Sequence, residues 1–129
     1  MKALRVSPEV RRRFIVTLCA TAVTVSAAMA SAKEKAEDIY RTYCTQCHGV
    51  EGNGKGINIR DMSVQPRDHT DTHEMSTRSD ADLFKAIKEG GVAVNKSVLM
   101  PNWGDVISDE EITDLVAHLR KLCQCSFGK

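Results

Sequence analysis

Two thiols and an imidazole stand together in this chain: Cys44, Cys47 and His48, in the run Cys44-Thr45-Gln46-Cys47-His48. C-x-x-C-H is the spacing that attaches a c-type haem. Each thiol can add to one vinyl group of a porphyrin, and the adjacent imidazole can ligate the iron. Two other chemistries use a C-x-x-C pair. A thioredoxin-like redox site expects a βαβ setting, and a zinc site needs a second ligand pair. Cys123 and Cys125 are the remaining pair, and C-x-C is not a usual zinc spacing. The motif therefore predicts one covalent haem c, held through Cys44 and Cys47, with His48 as an axial ligand.

What occupies the sixth position on iron decides function. Met100 is the leading candidate, because its soft thioether suits low-spin haem iron and Pro101 stiffens the backbone beside it. As plain packing, Met100 would be an apolar filler beside Trp103. Met62, Met75, His69 and His73 compete from a polar segment, and a histidine there would give a bis-histidine haem of lower potential. The simpler reading of His69 and His73 is as solvated loop residues, and of His118 as a helix-packing or surface group.

The N-terminus bears on compartment. Lys2, Arg5 and Arg11-Arg12-Arg13 precede an uncharged stretch from Phe14, which ends in Ala30-Ser31-Ala32 before Lys33. That is the pattern of an export signal, with predicted cleavage after Ala32 and a second site at Ala28-Met29-Ala30. The apolar part is short and rich in Ala, Thr and Ser, which argues against a stable span in the mature form. Leu18 before Cys19 is too bulky for a lipoprotein signal. The Arg-Arg-Arg-Phe-Ile run resembles a twin-arginine signal only faintly, since haem c is attached to a chain exported unfolded. Residues 1–32 are read as a signal peptide and 33–129 as one domain, which places the protein in the periplasm.

The whole chain carries a net charge of +1. The leader holds five of the 18 basic and one of the 17 acidic residues, so the remainder is mildly acidic. Nucleic-acid binding would call for a basic face, and none is evident. A domain of under a hundred residues buries little core by itself, and a covalently held porphyrin would fill that deficit.

The elements that must position these groups are helical. A first helix is expected from about Lys33 to Tyr43, with Ala36, Ile39, Tyr40 and Tyr43 near one side, leading into the haem motif. Gly49, Gly52, Gly54 and Gly56 then predict a turn, and residues 57–78 a loop with at most a short helical turn. Ser79 with Asp82 resembles a capping box that opens a middle helix, closed by Gly90-Gly91. The loop from Val92 to Ile107 carries Met100. Ser108 and Glu111 cap a last helix whose Ile112, Leu115, Val116, Leu119 and Leu122 fall at helical spacing. No strand pattern emerges, so the fold class is all-α: three main helices plus loops around the haem.

Taken together, these features resemble the class I monohaem c-type cytochromes of bacterial periplasms, over nearly the whole of residues 33–129. The resemblance implies a small cytochrome c-like fold in which the first and last helices cross, here bringing Ala36 and Tyr40 to Leu115 and His118. Relatives commonly carry Tyr where His118 stands. It also implies that a backbone carbonyl at Ile57, where relatives often have Pro, accepts the His48 Nδ1 proton, with Pro66 as a substitute turn. Trp103 would meet a haem propionate through its indole N–H, or simply pack.

The function so implied is a non-enzymatic electron carrier that works with donor and acceptor redox partner proteins, as a monomer or in transient complexes. The alternatives are a haem enzyme or gas sensor with an open sixth site, and an electron-transfer subunit of a larger oxidoreductase. Cys123 and Cys125 could form a disulfide, bridge to another chain, bind a metal, or stay as thiols.

Overall fold

Ile112, Leu115, Val116 and Leu119 recur on one side of the C-terminal segment, and all are buried. They form the floor on which the other helices rest. The structure is a computed structural model, and it describes residues 35–129. The signal-peptide reading of residues 1–32, with Cys19 and the cleavage sites, lies outside the described residues.

The N-terminal helix α1 (Ala36–Ile39) runs without a break into a π-helical turn (Tyr40–Cys44), and on into α2 (Thr45–His48). The haem motif is thus the end of the first helix rather than a loop after it. A π-helical turn inserts an extra residue into the helical ladder and is often found at functional sites. Ile39 and Tyr40 are buried on the last helix, while Cys44, Cys47 and His48 line a cavity on the way out.

A long connection follows, carrying α3 (Thr72–Ser76), whose Asp71 side chain accepts from the Glu74 amide. The middle helix α4 (Asp80–Glu89) opens on the expected capping box, with Ser79 and Asp82 bonding reciprocally. It stops at Gly90, whose φ of 83° favours glycine. A short 3₁₀ turn (Gly91–Val94) follows. The last helix, α5 (Asp109–Cys123), is capped by Ser108 and Glu111 in the same reciprocal way. Asp109 and Glu110 lie at its positive end, and Arg120 and Lys121 at its negative end.

Helix α5 packs against α1, α3 and α4. The crossing of the first and last helices is present: the rings of Tyr40 and His118 lie 5.2 Å apart, and Ala36 packs on the buried cluster that contains Leu115. Arg120 ties α5 to the α3–α4 junction. Its guanidinium pairs with Asp80 at 2.8 Å and donates to the carbonyls of Met75 and Arg78. Lys88 bridges α4 to Asp109 at 2.8 Å. The fold is all-α, and no strand occurs among the described residues. No helix among them is long and apolar enough to cross a membrane.

Candidate functional site: a haem-sized cavity around Cys44, Cys47 and His48

Helix α2 ends with carbonyls that have no partner inside the helix, the usual situation at a helix C-terminus. The glycine-rich turn supplies the missing donors. The amide of Gly54 donates to His48 O at 2.8 Å, Gly56 to Cys47 O at 3.0 Å, and Asn58 to Gln46 O at 3.0 Å. The loop therefore lies along the haem motif, backbone against backbone. A Cβ on Gly56 would collide with the Gln46 carbonyl oxygen, so only glycine fits there.

The connection bends at Ser63-Val64 and then crosses the side of His48. His48 Nδ1 donates to the carbonyl of Arg67 at 3.0 Å. This corrects the expectation for Ile57. The Gly56 and Asn58 bonds hold Ile57 outward at 82% exposure, away from the cavity, and the acceptor comes from the returning loop instead. Arg67 is in turn tied to α3 by an ion pair with Glu74.

His69 departs from its expected place too. It is 8% exposed rather than solvated, and its ring stacks on His48 at 4.1 Å between centroids and 17° between planes. Tyr40 Oη lies 2.9 Å from His69 Nδ1. Burial holds the Tyr40 phenol well above its ordinary range, so the hydroxyl keeps its proton and donates. His48 is pulled down by burial, against the raising effect of its bond to Arg67 O. His69 is pulled further down by burial and by neighbouring His48, Arg67 and His118, so it is neutral at pH 7. Nothing in the sequence pattern announces this pair, because the contact is set by the path of a loop.

These groups open onto a cavity of about 860 Å³. Cys44, Cys47 and His48 line it from one side of the sequence, and Met100 and Trp103 from another, with Leu115 and Leu119 of α5 also on its wall. Ligand cavities run to roughly 300–1,000 Å³. Both thiols are free and half-buried. Burial and the neighbouring Cys47 push the Cys44 thiol up to about 12, which keeps it protonated and slow to pair oxidatively with Cys47.

Met100 is placed by backbone contacts. The Gly91 amide donates to Met100 O at 2.9 Å, and Met100 N donates to Ser97 O at 3.2 Å. Past Pro101 the chain closes on α4, with Trp103 N donating to Ile87 O and Gly104 N to Lys88 O, both at 3.0 Å. The Trp103 ring lies 5.2 Å from Tyr43. Of the competing groups, Met75 is fully buried in the core and His73 is exposed, and neither lines the cavity. Met62 does line it. His69 lines it as well, but a ring stacked on His48 stands on the same side of the cavity as His48. It cannot face it across the iron.

Two thiols, an imidazole and a haem-sized apolar cavity are a donor set that fits a covalent porphyrin. Residues 31–119 match the family described as cytochrome c oxidase, cbb3-type, subunit III. The chain belongs to this family. It is a monohaem c-type cytochrome, with haem c bound through the Cys44 and Cys47 thiols. Solved structures agree on the fold of the cytochrome. KustC0563, a c-type cytochrome, superposes with a TM-score of 0.55 at 24% identity, covering 69% of this chain and 98% of that one. A chain of the Kuenenia stuttgartiensis reducing HAO-like protein complex Kustc0457/Kustc0458 gives a TM-score of 0.53 at 30% identity. That match covers 69% of this chain and only 41% of the other. No curated protein matches.

The disulfide reading of the C-terminal pair agrees with the structure, which joins Cys123 to Cys125. Cys123 is fully buried, and Arg120 Nη1 approaches Cys125 Sγ at 3.7 Å.

Proposed function

We propose that this cytochrome is a periplasmic one-electron carrier whose iron is held between His48 and Met100. The observation that carries the reading is that one cavity receives Cys44, Cys47, His48 and Met100 together. When bound, the haem supplies reversible Fe(III)/Fe(II) chemistry. The rest is the work of the chain. Cys44 and Cys47 hold the porphyrin edge, and the His48–Arg67 bond fixes Nδ1 as the protonated nitrogen, leaving Nε2 free to ligate. Met100, on the wall of the same cavity, would hold the iron together with His48 and so keep substrates off it. A thioether ligand favours the reduced state, within an axial-ligand range of roughly 0.8 V across haem proteins. Apolar walls from Leu115 and Leu119 favour the less charged state in the same direction. Trp103, which lines the cavity, would meet a propionate through its indole N–H.

The test is Met100→Ala. The reading expects loss of the thioether-to-iron absorption band, a lower midpoint potential, and carbon monoxide binding that wild type lacks. A wild-type protein that binds carbon monoxide as isolated would sink it. For the compartment, the uncharged leader ending in Ala30-Ser31-Ala32 supports export. Intact mass of the protein from a periplasmic extract should begin at Lys33.

A second reading is an electron-transfer subunit within a larger oxidoreductase. It is favoured by the oxidase-subunit description of the family and by the multi-subunit complex that holds one structural neighbour. Size-exclusion chromatography of a gentle extract separates the two, since the carrier migrates alone and the subunit with its assembly.

A further inference from the structure

Most of the chain's grip on His48 is accounted for by the Arg67 carbonyl, which meets the ring at its edge. One group lies beyond that account. His69, two residues on, covers the face of the same ring at 4.1 Å, nearly parallel to it. It is fixed from several directions. Its amide donates to Gly52 O at 2.7 Å, and its Nδ1 accepts from the Tyr40 hydroxyl at 2.9 Å. Tyr40 is itself 3% exposed, with its ring against His118 of α5. A side chain on Gly52 would press on Tyr40 Oη at 3.3 Å and Leu122 Cδ1 at 3.1 Å, so the space behind this assembly is filled. The sequence runs His48, His69, Tyr40, His118, and each ring touches the next.

A hydrogen bond at Nδ1 constrains one edge of an imidazole but leaves its plane room to tilt by small changes of the side-chain torsions. A flat group packed on its face removes that freedom. We propose that His69, held by Tyr40, is a positioning residue that locks the rotation of the His48 ring about the bond from Nε2 to the metal. It thereby sets the orientation of the ring plane over the porphyrin. The proposal rests on the reading of His48 as the axial ligand. It assigns His69 no bond to iron. A stacked ring suits the task because it packs at van der Waals distance and is anchored through its own edge by the phenol.

The orientation of an axial imidazole plane governs the magnetic anisotropy of low-spin ferric haem, and with it the EPR g-values and the spread of the haem-methyl proton shifts. These readouts do not move when a side chain merely contributes to folding. The experiment uses the ferric holoprotein with His69→Phe, His69→Leu and Tyr40→Phe. Phe keeps a flat face against His48, so H69F should retain the wild-type g-values and methyl pattern. Leu removes the flat face, so H69L should change the order and spread of the methyl shifts. Y40F, which releases the anchor and keeps the stack, should broaden the EPR features without replacing them.

Wild-type spectra in H69L would overturn the proposal. So would equal changes in H69F and H69L, which would show that bulk rather than a flat face matters. Failure of the underlying reading looks different. If His48 were not a ligand, the wild-type ferric protein would itself lack a low-spin histidine signature before any substitution at His69.

Discussion

The amide of Gly91 donates to the carbonyl of Met100 at 2.9 Å, which fixes the candidate sixth ligand by a main-chain bond at the foot of α4. A Cβ on Gly91 would collide with Ser97 O and stand 3.0 Å from Met100 Cβ. Gly91→Ala must therefore shift the Met100 loop. The expected result is a holoprotein with haem still attached through Cys44 and Cys47, a weakened thioether band and a lower potential. Visible spectroscopy and a potentiometric titration check it.

Gly56→Ala acts on the other side of the haem motif. The added methyl cannot fit against the Gln46 carbonyl, so the loop loses its bonds to Cys47 and Gln46. Overpacking of this kind costs about 1–3 kcal/mol. Thermal melting of the holoprotein should show the loss, while Ile57→Ala, at an exposed position, should leave both melting and potential unchanged.

The last helix holds the core. Ile112 is fully buried, so Ile112→Ala should destabilise by about 2–5 kcal/mol. Ser108→Ala removes a cap whose side chain accepts from the Glu111 amide, at a cost of about 1 kcal/mol. Denaturant titrations of the two variants should separate these magnitudes.

His118 gives the fold a pH dependence. Burial lowers its basicity below the ordinary value of 6.5, against the raising effect of Glu37 and together with the lowering effect of Lys121. Above pH 6.5 the ring is neutral in both folded and unfolded chains, and its contribution is constant. As pH falls through 6.5 the unfolded chain binds the proton more readily, so stability falls. His118→Tyr removes this titration while keeping a ring against Tyr40. Its melting temperature should drop less between pH 7.5 and pH 5.5 than that of wild type, and an equal drop would count against the assignment.

The Cys123–Cys125 link predicts an intact mass two hydrogens below the reduced chain under non-reducing conditions, restored by reduction. The bond closes a very short loop, so C123S/C125S should cost less than the ~2 kcal/mol typical of longer-range disulfides.

The helices were legible where local chemistry specifies them. Ser79 with Asp82, and Ser108 with Glu111, announce helix starts because a cap is a contact within four residues. The apolar stripe of α5 has a clean period, and the haem motif is a contiguous pentapeptide. Other features depend on distant parts of the chain. The π-helical turn at Tyr40–Cys44 has no periodic signature of its own. The Arg67 carbonyl and the buried His69 reach His48 only because the loop after Pro66 returns across it, 19 and 21 positions along the chain. Polarity suggested a solvated segment there, and the path of the loop across His48 decided otherwise.

The contacts that surround the haem motif and Met100 are made largely by the main chain: Gly54 and Gly56 amides on the His48 and Cys47 carbonyls respectively, the Arg67 carbonyl on His48, and the Gly91 amide on Met100. The side chains of Ile57 and Val98 are meanwhile exposed and do not line the cavity. Scaffolding and display are thus carried by different atoms of the same loops. The outer surface around the haem can change its partner's fit, residue by residue, while the amides and carbonyls beneath keep the metal's surroundings constant.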